Sequence, residues 1–154
     1  MTIRVGLVGL GYWGPNLLRV LSGMSNVRVD SMCDLDPERL GQFERLYPSV
    51  QATTNCEDLF EDPTLDAVLI ATPVFTHFDL ASRSLAAGKH TFVEKPLAGS
   101  SEDADELLRM ADEEGLVLMC GHTFVYSPPV RAVRGCSTVE SWGRSSSSPR
   151  VGST

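Results

Sequence analysis

The sequence predicts a doubly wound α/β domain with a parallel sheet, and three features of the chain lead to that prediction. Short apolar runs of strand length alternate with helical patterns as far as residue 120. The strands are continuously apolar, which is typical of strands buried on both faces. The first strand runs into a glycine-rich segment that opens a helix. We therefore expect a Rossmann-type parallel sheet in a single domain.

The predicted elements follow one another as strand and helix in regular order. Pro37 favours the start of a helix, while Gly23, Gly88 and Gly115 favour helix ends. The apolar and helical patterns place strands at 3–8, 27–33, 50–52, 65–71, 90–94 and 116–120. They place helices at 14–21, 37–46, 56–60, 76–87 and 101–114.

The glycine-rich segment is Gly9-Leu10-Gly11-Tyr12-Trp13-Gly14, which fits the pattern G-x-G-x-x-G. In dinucleotide-binding folds the first glycine, here Gly9, allows a tight turn off the strand. Gly11 lets the backbone approach a pyrophosphate, and Gly14 lets the helix pack closely on the sheet. The N-terminus of the helix offers unpaired N–H groups and a positive dipole end to the phosphates.

An acidic residue ends the second strand. Asp34 lies twenty residues after Gly14, at the distance expected of a carboxylate that accepts hydrogen bonds from the adenosine ribose hydroxyls. The alternative is that Asp34 only caps the next helix, although Asp36, just before Pro37, can supply that cap. Strand, glycines, helix and acid together predict a dinucleotide site.

Composition limits the class of protein. The 154 residues suffice for one domain, with 42% hydrophobic and 21% charged residues. A formal net charge of −7 without a basic stripe argues against nucleic acid as a partner. No apolar run has the length of a membrane span, and the chain enters a strand at once, so we expect no membrane partner, no signal peptide and a cytoplasmic location.

The four cysteines do not have the spacing of a metal site. No C-x-x-C occurs, and Cys33 and Cys120 lie in apolar, strand-like surroundings. We expect reduced thiols, and neither disulfides nor a bound metal.

Two further clusters follow predicted strands. Ala71-Thr72-Pro73 ends the fourth strand, and His77 comes one helical turn later. Because ligands of parallel sheets lie at the carboxyl ends of the strands, Thr72 and His77 are expected near the cofactor. A plain strand-to-helix turn, with Thr76 as N-cap, is an equal alternative.

The second cluster, Glu94-Lys95-Pro96, ends the fifth strand. In a hydride-transfer site, Lys95 beside Glu94 can hydrogen-bond a substrate hydroxyl and help to move its proton. The alternative is a surface ion pair. His122 and Tyr126 follow the last strand and are as readily structural as substrate-binding, and His90 is expected to be structural.

In this order the motifs resemble the N-terminal cofactor domain of the Gfo/Idh/MocA family, the relatives of glucose–fructose oxidoreductase and inositol dehydrogenase. The resemblance covers residues 1–134 and rests on five pieces, which are the glycine segment, Asp34, Ala71-Thr72-Pro73 with His77, Gly88-Lys89-His90, and Glu94-Lys95-Pro96.

The resemblance implies an NAD(P)-dependent oxidoreductase that exchanges a hydride with a sugar, cyclitol or related alcohol or ketone. The glycine segment, Tyr12 and Trp13 included, would hold the pyrophosphate, and Asp34 the ribose. Thr72, Pro73 and His77 would line the cofactor cleft. Lys95 would be the catalytic residue beside the nicotinamide, with Glu94 next to it. An acid at position 34 repels a 2′-phosphate, which favours NAD over NADP.

The chain also departs from the family. An asparagine and then Arg-Phe often follow the last strand there, whereas Thr123 and Val125-Tyr126 stand here. The family has a second, C-terminal domain that supplies an acid–base pair, most substrate contacts and the oligomer interface, and 154 residues leave no room for it. We therefore expect weak dinucleotide binding with little turnover.

Residues 135–154 differ in character from the rest. They include four consecutive serines, from Ser145 to Ser148, and little apolar content, which predicts a disordered tail. Our hypothesis is a frameshift near Arg134, which the coding DNA would test.

Two other classes of function stay open at this point. One is a non-catalytic nucleotide-binding or redox-sensing module, which would need no lysine at position 95. The other is a purely structural Rossmann-like domain, which the presence of Gly9, Gly11, Gly14 and Asp34 disfavours.

Overall fold

The computed structural model describes residues 2–138, with the backbone alone for residues 135–138. The chain divides into two compact units, of which the first ends at Gly121 and the second begins at His122. None of the helices within residues 2–138 combines the length and the apolar character that a membrane crossing requires.

The first unit alternates strands and helices, as the sequence predicts. Its strands are β1 Ile3–Val8, β2 Val27–Cys33, β3 Gln51–Thr53, β4 Ala67–Ile70, β5 His90–Val93 and β6 Leu118–Cys120. Its helices are α1 Gly14–Ser22, α2 Pro37–Leu46, α3 Glu57–Phe60, α4 His77–Ala86 and α5 Ser101–Glu113. A 3₁₀ turn over Val74–Thr76 leads into α4.

The six strands form one parallel sheet in the order β3-β2-β1-β4-β5-β6. The chain order reverses between β1 and β4, which makes this the switch point of a doubly wound sheet. The Rossmann-type fold predicted from the sequence is therefore confirmed. Ligands of such folds bind outside the carboxyl ends of the strands at this point.

The core has two apolar layers, one on each face of the sheet. Successive strand side chains alternate between the layers, so Val68 and Ile70 belong to one and Leu69 to the other. Leucines of α4 and α5 complete the first layer, and leucines of α1 and α2 complete the second. Helices cover both faces of the sheet, which explains why its strands are continuously apolar.

Helix starts in the first unit follow local capping chemistry. Asp36 is the N-cap of α2, and its side chain accepts hydrogen bonds from the backbone N–H groups of Glu38 and Arg39. Ser100 is the N-cap of α5 and accepts from the N–H of Asp103.

The second unit contains a 3₁₀ turn over Thr123–Tyr126 and the helix α6, Pro128–Thr138. The guanidinium of Arg131 lies 5.9 Å from the centre of the Tyr126 ring. The helix continues for four residues beyond Arg134, the predicted end of the ordered domain. The remainder of the predicted tail lies outside the described residues.

Candidate functional site

A cleft of about 670 Å³ opens at the carboxyl edge of the first unit's sheet. Its walls are the turn after β1, the residues after β2 and β4, and the first turns of α2 and α4. Five residues predicted for a cofactor site line it, and they are Gly9, Gly11, Asp34, Thr72 and Pro73. The structure thus brings together, at the switch point, residues that are up to 64 positions apart.

Two glycines are required by the turn itself. Gly9 has φ +96°, and a Cβ there would lie 2.8 Å from the carbonyl oxygen of Ala71. A Cβ on Gly14 would lie 1.9 Å from the carbonyl oxygen of Gly9. The turn predicted at Gly9 is confirmed. The explanation for Gly14 changes, because the close approach is to the backbone of the turn and not to the sheet.

Gly11 is different, because the protein leaves open space around it. A Cβ at this position would have no heavy atom within 4 Å, and the residue lines the cleft. The folded chain itself therefore does not require a glycine here. A glycine that borders open space in a cleft leaves room for a ligand to approach the backbone.

The start of α1 faces this turn without a side-chain cap. Trp13 is the N-cap residue, makes no side-chain capping bond, and is followed by a first turn without acidic residues. The positive end of the helix dipole is therefore not neutralised by the helix's own residues. Tyr12 and Trp13 pack edge to face at 5.5 Å, and Tyr12 is 84% exposed. Neither ring lines the cleft.

The carboxylate of Asp34 is tied to two parts of the backbone. Its Oδ2 accepts a hydrogen bond from the N–H of Leu10 over 2.7 Å, and its Oδ1 accepts from the N–H of Asp36 over 2.9 Å. Asp34 does not cap α2, since Asp36 does. The capping explanation for Asp34 is therefore wrong, and the carboxylate instead braces the glycine turn against the end of β2.

Arg39 is a cleft residue that the sequence argument missed. Its Nη1 lies 3.2 Å from Oδ1 of Asp34, and its Nη2 lies 3.4 Å from Oδ2 of Asp36. The side chain is 41% exposed and lines the cleft. Its position on the first turns of α2, five residues after Asp34, is the feature of the sequence that could have identified it.

Another part of the cleft wall carries thiols and a second arginine, which were also missed. Cys33 and Cys56 line this part with Arg83, whose Nη2 lies 3.5 Å from Sγ of Cys56. Arg83 also forms ion pairs with Glu57 and Asp79. Burial, with a smaller effect of Cys56, raises the pKa of the Cys33 thiol to about 12. Cys33, Cys56 and Cys120, the cysteines whose side chains the structure describes, are free.

His77 lies inside the protein and not on the cleft wall. It is 1% exposed, its Nδ1 lies 2.7 Å from the carbonyl oxygen of Pro96, and its Nε2 lies 2.9 Å from that of Thr72. The expectation that His77 lines the cleft is thus not met in this structure, because the ring turns inward to these two carbonyls. Thr76 is the N-cap of α4 without a side-chain capping bond, and its Oγ1 donates to the carbonyl of Pro73.

Glu94 and Lys95 follow β5 at the same edge of the sheet but do not line the cleft. Glu94 is buried, and its Oε2 accepts the backbone N–H of Lys95 over 3.3 Å. Lys95 is exposed, and its peptide bond to Pro96 is cis. Within the described part of the chain no ion pair joins Glu94 to Lys95, so the surface ion-pair alternative is not observed.

The remaining histidines have different surroundings. Nδ1 of His90 accepts the backbone N–H of Val117 over 3.0 Å, which agrees with the predicted structural role. His122 and Tyr126 belong to the second unit, where the carbonyl of His122 accepts the N–H of Val125.

The sequence matches one family model over most of its length. Residues 3–122 fit the GFO_IDH_MocA model, described as an oxidoreductase family with an NAD-binding Rossmann fold. The chain belongs to the Gfo/Idh/MocA oxidoreductase family. The matched residues are its nicotinamide-dinucleotide-binding domain, and they include the cleft, Glu94 and Lys95.

Relatives in this family carry several activities. The chain is 32% identical over 130 residues to the 2,7-anhydro-N-acetylneuraminate hydratase of Mediterraneibacter gnavus, and 30% identical over 126 residues to the scyllo-inositol 2-dehydrogenase (NADP(+)) IolW of Bacillus subtilis. The matches cover 84% and 79% of this chain. The crystal structure of GenD2 from gentamicin A biosynthesis, in complex with NAD, superposes on this chain with a TM-score of 0.84 and 30% identity. The superposition covers 90% of this chain.

The match is to one part of each relative. The aligned region is 34% of the hydratase, 33% of the inositol dehydrogenase and 39% of GenD2. The GenD2 structure is a complex with NAD, while the name of IolW specifies NADP(+). Family membership therefore supports binding of a nicotinamide dinucleotide but does not decide between NAD and NADP.

Proposed function

We propose that this chain provides the cofactor-binding half of an oxidoreductase that acts on a sugar, a cyclitol or a related alcohol or ketone. The observation that supports this most strongly is Gly11, which borders open space in the switch-point cleft where the protein has no need of a glycine. When bound there, the nicotinamide cofactor supplies a hydride acceptor or donor.

The residues of the cleft suit the parts of a dinucleotide. The backbone at Gly9 and Gly11 and the uncapped N-terminus of α1 would hold the pyrophosphate. Asp34 would hold the adenosine ribose, with Thr72 and Pro73 forming the facing wall. Tyr12 and Trp13 would border the dinucleotide from outside the cleft. Each assignment follows from the position of the residue in the cleft or on the turn beside it.

We propose NAD as the preferred dinucleotide. A 2′-phosphate on the adenosine ribose would meet the carboxylates of Asp34 and Asp36 and the single guanidinium of Arg39. Two carboxylates and one guanidinium sum to a local charge of about −1, which repels a phosphate. Arg39 can pair with a 2′-phosphate only when its ion pair with Asp34 is broken.

Lys95 is proposed as the catalytic residue of the reaction. The residue is exposed at the carboxyl edge of β5, where its ε-ammonium would hydrogen-bond a substrate hydroxyl and help to move its proton. The buried Glu94 carboxylate accepts the N–H of Lys95 and fixes the backbone that carries it. A nucleotide sensor would have no use for a lysine at this place, which favours the oxidoreductase.

Calorimetric titration with NADH and NADPH tests the proposed function. We expect tighter binding of NADH than of NADPH, and a further loss of NADPH affinity in Arg39→Ala with NADH affinity changed less than about threefold. Bound NADH is also expected to slow the reaction of Lys95 with an amine-directed reagent, as followed by peptide mass spectrometry. Folded protein that binds neither dinucleotide would contradict the cofactor site, and binding without protection would contradict the role of Lys95.

A further inference from the structure

The ring of His77 connects two loops that carry different parts of the proposed site. Nε2 lies 2.9 Å from the carbonyl oxygen of Thr72, in the loop after β4. Nδ1 lies 2.7 Å from the carbonyl oxygen of Pro96, in the loop after β5. Thr72 lines the cleft, and Pro96 directly follows Lys95.

The pairing of β4 with β5 joins these two loops only where the loops begin. The last paired residues of β4 and β5 are Ile70 and Val93, and the N–H of Glu94 donates to the carbonyl of Ile70. Beyond that bond the described backbone shows no hydrogen bond between the two loops, and the N–H of Ala71 donates instead to the carbonyl of Val8 in β1. The two ring nitrogens of His77 lie within hydrogen-bond distance of the loops two residues beyond these last backbone contacts, at the carbonyl oxygens of Thr72 and Pro96.

The imidazole is suited to this task because it is rigid and buried. The residue is 1% exposed, so water does not compete for the two carbonyls. A neutral ring has one N–H and donates to one carbonyl, and a protonated ring donates to both. Its two nitrogens are fixed in one plane, which sets the separation of the two loops.

We infer that His77 is a positioning residue that sets Lys95 relative to the cofactor wall at Thr72, without touching the dinucleotide or the substrate itself. This inference rests on the proposed function, since it assigns a purpose to the distance between the cofactor cleft and Lys95. It also explains why a histidine follows the Thr72-Pro73 turn although its ring does not enter the cleft.

The test measures how well NADH protects Lys95 from an amine-directed reagent in variants of the full chain. His77→Leu removes both nitrogens at similar volume, and His77→Gln restores an N–H donor on a side chain of comparable reach. The matched control is Ser84→Ala, because Ser84 is fully buried on the same helix and its Oγ lies 2.8 Å from Oγ1 of Thr91 in β5. That pair also joins α4 to β5 but contacts neither loop.

We expect His77→Leu to weaken NADH binding about tenfold, the equivalent of one hydrogen bond, and to abolish protection of Lys95 at saturating NADH. His77→Gln is expected to recover protection, and Ser84→Ala to keep both properties within about twofold. A variant that has partly unfolded would also lose protection of Lys95. Protection is therefore compared at a temperature at which every variant is folded.

His77→Leu leaves the carbonyls of Thr72 and Pro96 without their ring partner, and His77→Asn is therefore prepared with it. The amide of Asn is one methylene shorter than that of Gln, and protection of Lys95 is expected to fall in this variant as well. Protection in His77→Asn or His77→Leu equal to that in Ser84→Ala would overturn the inference. Absence of NADH binding or of protection in the unaltered chain would instead contradict the proposed function.

Discussion

The backbone N–H of Leu10 donates to Oδ2 of Asp34 over 2.7 Å, which ties the glycine turn to the end of the neighbouring strand. The acid at the end of β2 thus shapes the cleft before any ligand is bound. Its other oxygen accepts the N–H of Asp36, so the same carboxylate also fixes the start of α2.

Replacement of Asp34 is therefore expected to affect folding as well as binding. Asp34→Ala leaves the N–H groups of Leu10 and Asp36 without their acceptor, at a cost of about 1–3 kcal/mol in the free energy of unfolding. Urea unfolding without dinucleotide measures this cost. A variant as stable as the original chain would show that the carboxylate has no bracing role.

Gly14 is expected to tolerate no side chain. In Gly14→Ala the Cβ would lie 1.9 Å from the carbonyl oxygen of Gly9, so the turn must move, at a cost of about 1–3 kcal/mol or more. Gly99→Ala is the matched control, because no heavy atom lies within 4 Å of the Cβ position at Gly99. Thermal unfolding compares the two, and equal stability would contradict the geometry of the turn.

Replacement of two lysines near β5 is expected to have very different effects on the free energy of unfolding. Lys89 is buried, and its Nζ donates to the carbonyl oxygens of Asp62 and Leu65. Lys89→Met leaves both carbonyls unpaired and is expected to cost about 2–4 kcal/mol. Lys95→Met removes an exposed ammonium and is expected to change stability by less than about 0.5 kcal/mol. Urea unfolding of both variants makes the comparison, and the reverse order of stability would be inconsistent with the structure.

The buried thiol of Cys33 is expected to make stability fall in alkaline solution. Burial raises its pKa from 9.0 to about 12, so the folded chain keeps a proton that the unfolded chain loses. The contribution to the free energy of unfolding is complete below about pH 8 and declines, by up to ~1.4 kcal/mol per pH unit, as pH rises from about 9 toward 12. Urea unfolding at pH 8.5 and 10.5 is expected to give a steeper decline in the original chain than in Cys33→Ala. Equal declines would show that the thiol does not contribute.

The sequence predicted most of the fold because each element carries its own local signals. Asp36-Pro37 begins α2 where predicted, and Ser101 begins α5. The sixth strand begins two residues later than predicted, because the N–H of Leu116 bonds to Ala111 at the end of α5 and that of Val117 bonds to the ring of His90. The apolar pattern alone does not show that Leu116 and Val117 lie outside the strand.

Motif spacing located the backbone positions of the cleft better than it located the side chains. Gly9, Gly11 and Asp34 are fixed by the strand ends, so motif spacing placed them in the cleft. The direction of the His77 ring depends on the carbonyl of Pro96, nineteen residues away in the chain. Arg39 enters the cleft through its ion pair with Asp34, a contact between two elements that periodicity does not report.

Gly11→Val tests whether position 11 is a glycine because a dinucleotide binds against its backbone. No heavy atom lies within 4 Å of the Cβ position at Gly11 or at Gly41, so Gly41→Val, which is outside the cleft, is the matched control. We expect Gly11→Val to keep the unfolding temperature of the original chain and to lower NADH affinity at least about tenfold, while Gly41→Val binds NADH normally. Unchanged NADH affinity in a folded Gly11→Val protein would contradict this expectation.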